Sequence, residues 1–465
     1  MESRSVLNHS SLKAILAEVR EVSNEDIRDE IVSDIYAKSK SLCKKVVSQQ
    51  HTALYRSDKL DEIFTSRIWG FPIMLLMLGT IFYITIAGAN IPSDMLASLF
   101  GFLESKLTYL FEAIHAPGWL HGILVLGLFR GTGWVISVML PPMAIFFPIF
   151  ALLENYGYLP RVAFNMDRLF KRAGGHGKQS LTMAMGFGCN AAAILSTRII
   201  ESPRERMLAI LTNNFVPCNG RWPTLILLAS LFMVTGFTGA AGTFMTATIL
   251  IGFVLLGVVV TLTVSWGLSK TALKGVPTHY TLELPPFRRP KFWNTILRAS
   301  IDKAWNVLKR AVIVAAPASI LTWICANIYI GDTSILMHFV NFLDPFGQAL
   351  GMDGFIMAAF ILGLPANEIV IPILIMAYLS QGAMLEIEDL SKLKQVFIDQ
   401  GWTWLTALNM MLFSLLHFPC GTTLVNIYKE TKSPKWTFMS FLIPTAIAIG
   451  VTWLTATIAR AFGWV

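Results

Sequence analysis

Residues 355–379 read FIMAAFILGLPANEIVIPILIMAYL, a run in which Glu368 is the single charged side chain. A membrane's hydrocarbon core, about 30 Å thick, is crossed by about 20 apolar helical residues, so this run is long enough to span. It shows no period-two alternation, which excludes a strand of a membrane barrel. Its centre, Gly363-Leu-Pro-Ala-Asn367, interrupts a helix, because proline removes a donor and glycine loosens the backbone. Backbone groups freed at such depth must face protein or a water-filled cavity, never lipid. The run therefore predicts a broken membrane helix with a carboxylate beside the break.

The rest of the chain agrees. Apolar stretches also occupy residues 70–89, 121–153 with a lone Arg130, 244–268, 312–330 and 439–458. Of 465 residues, 54% are hydrophobic and 14% charged. An average soluble domain is roughly 25% charged. Charge is concentrated at the start, where residues 1–67 hold 11 basic and 11 acidic side chains and no apolar core of a cleavable signal peptide. The formal net charge of +8 does not indicate nucleic acid, since the basic surplus lies between residues 161 and 310, beside spans. Residues 311–391 contain no Lys or Arg at all. The positive-inside rule then puts the N-terminus and the loops 161–178 and 270–298 in the cytoplasm, and the polar turn 331–344 outside.

The fold class that follows is an all-α polytopic membrane protein with two gate-type repeats on broken helices and about eight to ten membrane segments. Residues 1–60 form a cytoplasmic helical segment, with Ser23 and Asp26 as a capping box and Ile27, Ile31 and Ile35 as an apolar stripe. Residues 61–118 hold a first span, closing near Ala89, and an interfacial helix over 95–117. Residues 119–298 form the first gate module and a cytoplasmic loop, with Pro141 and Pro142 dividing the long apolar segment. Residues 299–465 form the second gate module and a C-terminal span.

The two modules echo each other. Gly186-Phe-Gly-Cys-Asn190 corresponds to Gly363-Leu-Pro-Ala-Asn367, and Phe215-Val-Pro-Cys218 to Phe418-Pro-Cys420, with residues 386–400 as an insertion in the second. Short apolar pieces between residues 180 and 237 read equally as spans or re-entrant halves. Paired discontinuous helices are the best sequence-level pointer to a transport site.

Five cysteines without disulfide-type spacing read as free thiols. Cys189, Cys218 and Cys420 each stand at a break, and sulfur favours a transition metal over Mg(II) or Ca(II). Cys325, inside an apolar run, reads as packing. Glu368 is an intramembrane carboxylate, a functional candidate by its cost. Asn190 and Asn367 offer amide oxygens to a metal, or brace the broken backbone. Arg130 and Arg221 could pair with Glu368 and Glu154 or snorkel to headgroups, and His417 is a weaker lead. Gly174-Gly-His-Gly-Lys178 lacks the first glycine and the hydroxyl residue of a phosphate loop, so no nucleotide-hydrolysing site is expected.

The chain resembles the membrane domain of the ferrous iron transport protein B family. The likeness rests on Leu153-Glu-Asn-Tyr-Gly-Tyr158, Arg161-Val-Ala-Phe-Asn-Met-Asp-Arg168, Gly186-Phe-Gly-Cys-Asn190, Glu201-Ser-Pro-Arg-Glu-Arg206, Gly363-Leu-Pro-Ala-Asn-Glu368 and His417-Phe-Pro-Cys-Gly-Thr-Thr423. It departs at Ala191-Ala-Ala193, where the family commonly has Val-Pro-Ala, and at Asn367, where Lys is frequent. The resemblance implies import of Fe(II) through two gate modules in a prokaryotic inner membrane, with Cys189, Cys218, Cys420 and Glu368 as gate residues. It implies no permanently bound cofactor, a GTPase domain or subunit in cis or in trans, not read in residues 1–465, and small accessory proteins. Two other function classes fit the residues alone: a secondary transporter of a polar solute such as a nucleoside, and a non-transporting receptor or scaffold.

Overall fold

The computed structural model describes residues 24–46, 60–66, 68–234, 240–275, 287, 292–298, 301, 305–380, 382 and 390–463. The chain divides into two units, residues 1–62 with 279–281, and residues 63–278 with 282–465. In the first unit, helix α1 (Asn24–Val46) carries Ile31 and Ile35 on its surface. Ser23 of the expected capping box lies outside the described residues.

The second unit is almost entirely helical. Among the described residues, six segments are long and apolar enough to cross a membrane: α2 (Gly70–Ala113), α3 (Gly118–Tyr156), α9 (Phe244–Lys270), α11 (Leu308–Asn327), the segment Trp404–Thr431 and α18 (Pro434–Ala461). A seventh is reached if the bent pair α12 (Ile335–Ala349) and α13 (Gly354–Leu362), which meet at 112°, is one broken span. Gly351 turns that corner with a positive φ, a left-handed conformation that side chains resist. Two further apolar pieces are half-length, α8 (Trp222–Met233) and α14 (Asn367–Tyr378). Most of the stretch 180–237 is built from such short helices, α5 (Gln179–Gly186), α6 (Asn190–Ser196) and α7 (Pro203–Thr212) among them. Outside the spans lie α4 (Tyr158–Arg172), which follows α3, and the short α10 (Phe292–Arg298).

Burial sorts the spans into an interior and a rim. The most apolar windows of α3 and of Trp404–Thr431 are 56% and 78% buried, whereas those of α2, α9, α11 and α18 are at most 28% buried. The outer faces of the latter carry residues such as Leu76, Val259, Leu321 and Trp453, a composition suited to lipid. The interior α3 meets α11 along Gly122, Gly127 and Gly131: a Cβ at Gly122 would overlap the Trp323 ring, and one at Gly131 would overlap Ser319. Small residues here let the two halves of the chain approach closely.

Three local expectations are corrected. The first span does not close at Ala89; α2 runs unbroken through Pro92 for 44 residues. Pro92 forfeits one donor only, and helix-favouring Met, Leu and Ala on its far side carry the ladder on. At roughly 1.5 Å per residue α2 extends about 66 Å, so its second half continues beyond one hydrocarbon thickness. Likewise Pro141 and Pro142 do not divide α3, whose irregular stretch is instead the wide π turn Gly122–Phe129 packed on Trp323. Residues 331–344 are not a polar turn; after a two-residue hairpin, Tyr329–Ile330 with Thr333–Ser334, Ser334 caps the Met337 amide at 3.2 Å and α12 begins. Buried Leu336 and Val340 hold α12 down. From the insertion, α15 (Leu390–Asp399) is described, and its buried Phe397 stacks on Trp402 at 4.4 Å.

Candidate functional site

The first break lies between α5 and α6. The chain leaves α5 at Gly186, and Cys189 is extended, φ −155° and ψ 119°, as the residue preceding α6. Gly188 is required there because a Cβ would run into the Phe146 ring of α3. In the second module, Ala366 separates α13 from α14 with φ −150° and ψ 120°. Cys189 and Ala366 are the corresponding residues of the echo, and their backbones nearly coincide in conformation. Each break is also clasped by an amide one residue past its later cysteine. Asn219 donates to the Gly188 carbonyl at 3.1 Å, and Gly421 donates to the Leu364 carbonyl at 2.7 Å.

Both breaks open onto one narrow cavity of about 30 Å³. Cys189, Cys218, Cys420, Glu368, Asn190 and Asn367 all line it. Cys420 sits 3.2 Å from the Thr423 hydroxyl, and the five cysteines are all free. Glu368 reaches across the module boundary so closely that a Cβ at Gly220 would overlap its carboxylate. Among the described residues, no three His, Cys, Asp or Glu side chains come together as a ready coordination set.

The asparagines divide between bracing and the cavity. Asn190 donates to the Asn214 side-chain oxygen at 3.4 Å and accepts from Asn213 at 3.3 Å, while Asn214 donates to the His417 carbonyl at 2.6 Å. Asn367, buried on the cavity wall, has a side-chain oxygen with no donor among the described residues. Thr422 repeats the pattern, its hydroxyl buried and unpartnered among the described residues, on the wall of the same cavity. An orphaned buried oxygen costs about 1–3 kcal/mol, and a cation passing beside it would offset that cost.

Several residues are placed differently from the sequence reading. Arg130 pairs with Glu104 of α2, its Nε donating at 2.9 Å, where the sequence suggested Glu154 or Glu368. Arg221 is fully buried and turns its guanidinium on backbone. It donates to the carbonyls of Asn214 (2.7 Å), Leu415 (2.9 Å), His417 (3.1 Å) and Phe418 (3.2 Å), and to the Asn214 side chain (3.2 Å). The carbonyls that α16 (Trp404–Leu416) leaves open at its C-terminal end are thus capped from the other module. His417 is walled in by Phe360, Phe413 and Phe418, with Nδ1 against the Phe413 and Ser414 carbonyls, away from the cavity. Cys325 lies on α11, packed against the apolar core.

The sequence reading missed Met139, Met143 and Thr422 on the cavity wall. The two methionines, one turn apart and flanking Pro141-Pro142, add soft thioether sulfur to the thiols. On the loop side, His176 is buried with its Nδ1 accepting from the Lys178 amide at 3.0 Å, and burial pulls its pKa below the ordinary imidazole value. That geometry is a closed turn. Elsewhere, Arg198 grips Glu430 of α17 (Gly421–Thr431) through two bonds of 2.9 and 2.6 Å, another tie between modules.

Comparison with known proteins matches this duplication. Residues 136–232 and 308–434 match the family described as Gate, nucleoside recognition, and residues 250–301 match the C terminus of ferrous iron transport protein B. An Fe(2+) transporter FeoB of Staphylococcus aureus is 29% identical over 420 residues, covering 88% of this chain and 60% of the relative. That of Campylobacter jejuni is 28% identical, covering 90% of this chain and 68% of the relative. A Porphyromonas gingivalis protein, named a fusion of Fe(2+) transport protein A and FeoB, is 27% identical, covering 87% and 52%. No solved structure matches. The chain thus spans about 60% of the length of the first of these relatives. With duplicated Gate modules, the iron-transport C-terminal match between them and collinear likeness over most of its length, the chain is a multi-pass membrane protein similar to the ferrous iron transport protein B family.

Proposed function

We propose that the chain imports Fe(II) across a prokaryotic plasma membrane through the cavity between its two helix breaks. The observation that carries this reading is the convergence of Cys189, Cys218, Cys420 and Glu368, drawn from both modules, on one cavity of about 30 Å³. A single water needs about 10–15 Å³ of such space, so a metal ion passes there only after losing most of its hydration. Sulfur, amide oxygen and one carboxylate replace the lost waters. Sulfur selects a transition metal over Mg(II), and the absence of a ready three-ligand set among the described residues suits release better than storage. The cysteines therefore engage in succession as the breaks move. A nucleoside is disfavoured by size, since pockets for such ligands run to about 300–1,000 Å³.

The reading includes regulation by a GTP-binding domain or subunit, in cis or in trans, and by small accessory proteins, as the family resemblance implies. It also places α1 and the loops 161–178 and 270–298 in the cytoplasm, because basic segments resist translocation. Impermeant thiol labelling of single cysteines placed in those loops checks the orientation; labelling from outside intact cells contradicts it.

The functional test is initial uptake by the purified chain in sealed vesicles under reducing conditions, with Fe(II), Mn(II), Zn(II), Mg(II) and nucleosides offered separately. Saturable Fe(II) flux that excludes Mg(II) and nucleosides is the expected result. Nucleoside flux indifferent to replacement of the cysteines, or no flux of any solute with or without a GTPase partner, contradicts the reading.

A further inference from the structure

A second, larger cleft of about 410 Å³ lies where α2, α3 and α8 meet. Its polar lining includes Asn90, Ser93 and Asp94 of α2, Ser137 of α3, and Asn219. Asn219 also lines the central cavity, so the two spaces share a wall residue, and it is the immediate neighbour of Cys218. Among the described residues lining the cleft there is no Lys, Arg or His, and Asp94 is the one ionisable group. The α3 side adds further oxygen. Pro141 and Pro142 carry no amide hydrogen, so the carbonyls one turn before them, on Ser137 and Val138, lose their helical donors, and both residues border the cleft.

We infer that this cleft is the outer vestibule of the cation path, where a divalent cation is collected with its water shell by Asp94 and passed across Asn219 into the central cavity. The inference rests on the reading that a cation crosses that cavity. Position supports it. Gly70 and Asp94 lie on one continuous helix, whose rise of roughly 1.5 Å per residue separates them by about 36 Å, so a cytoplasmic Gly70 puts Asp94 at the opposite face. Size supports it as well. A shell of six waters needs about 60–90 Å³ of such space, which the cleft supplies and the central cavity does not. Dehydration is thereby assigned to the step across Asn219. One carboxylate with neutral oxygens attracts a hydrated cation without holding it.

Two measurements on the full chain in sealed vesicles test this. The first is Fe(II) uptake by Asp94→Asn and Asp94→Glu. The Asn variant should raise the half-saturation concentration about three- to tenfold at low ionic strength, with the maximal rate unchanged, and the difference should shrink in high salt; the Glu variant should restore the original value. An unchanged half-saturation concentration in folded Asp94→Asn overturns the vestibule. The second is independent of transport. In a Cys43→Ser, Cys325→Ser background, Ser93→Cys should react with an impermeant maleimide from the outside above the parent's level. Mn(II) should slow that reaction, and Asp94→Asn should abolish the protection. Labelling confined to the cytoplasmic side, or equal protection with and without Asp94, also overturns the vestibule. Vesicles that carry no metal while Mn(II) still protects Ser93→Cys would leave the vestibule standing and refute the transport reading instead.

Discussion

The two helix breaks share a backbone and differ in chemistry. Cys189 and Ala366 occupy the same extended conformation, yet one presents a thiol and the other a methyl group. One residue past the following asparagine position the contrast reverses: the first module has Ala191, and the second has Glu368. Sulfur thus comes from the first break and negative charge from the second. The bracing around them is uneven too: side-chain amides of Asn190, Asn213 and Asn214 link up beside the first break, while the end of α16 in the second module hangs on Arg221 from the first. A duplicated scaffold has therefore been filled asymmetrically. The cavity is walled by both halves together.

This comparison is most severely strained by removing the strap between modules. Arg221→Met leaves several buried carbonyls without donors at about 1–3 kcal/mol each, enough to remove most of the folded protein, and Arg221→Lys should recover part of it. Thermal unfolding in detergent reads the effect; a melting temperature unchanged in Arg221→Met would show that the modules do not lean on this residue. Next in size is Gly220→Ala, whose new methyl displaces the Glu368 carboxylate. Overpacking of this kind costs about 1–3 kcal/mol, and applied to the path it should lower Fe(II) uptake about tenfold. Gly252→Ala on α9, where a Cβ meets nothing within 4 Å, should behave as wild type.

A smaller effect separates ligation from stability. Thr422→Val removes an orphaned hydroxyl, so the folded state should hold or gain slightly, by up to about 1 kcal/mol, while uptake falls about two- to fivefold. Equal uptake would reduce Thr422 to a packing residue. Smallest of all is Cys325→Ser, expected within about twofold of wild-type flux because that thiol lies outside the cavity.

Much of this architecture is legible in the residues themselves. The run 355–379 already carries its break and its carboxylate, and the paired Gly-Asn and Pro-Cys interruptions mark residues of the cavity wall. What the sequence hides is continuity and partnership. Pro92 and Pro141-Pro142 read as stops, because a proline's local cost is visible and the compensation by neighbouring turns or a facing cleft is not. Arg221 reads as a carboxylate's partner, since charge suggests charge; its bonds to oxygens of residues 214 and 415–418 exist only once the chain has folded. Met139 and Met143 look like ordinary filler on an apolar helix. Only their spacing around the proline pair hinted at a shared face.

The central claim, one path completed by both modules, is tested most directly by replacing Cys189, Cys218 and Cys420 together with Ser and measuring initial Fe(II) uptake per folded protein under reducing conditions, with Mg(II) as competitor. The account predicts a fall of at least about tenfold with membrane insertion intact, and weakened discrimination against Mg(II), because hydroxyl oxygen replaces the soft ligands. A near-normal rate with normal selectivity would contradict a cysteine-lined path.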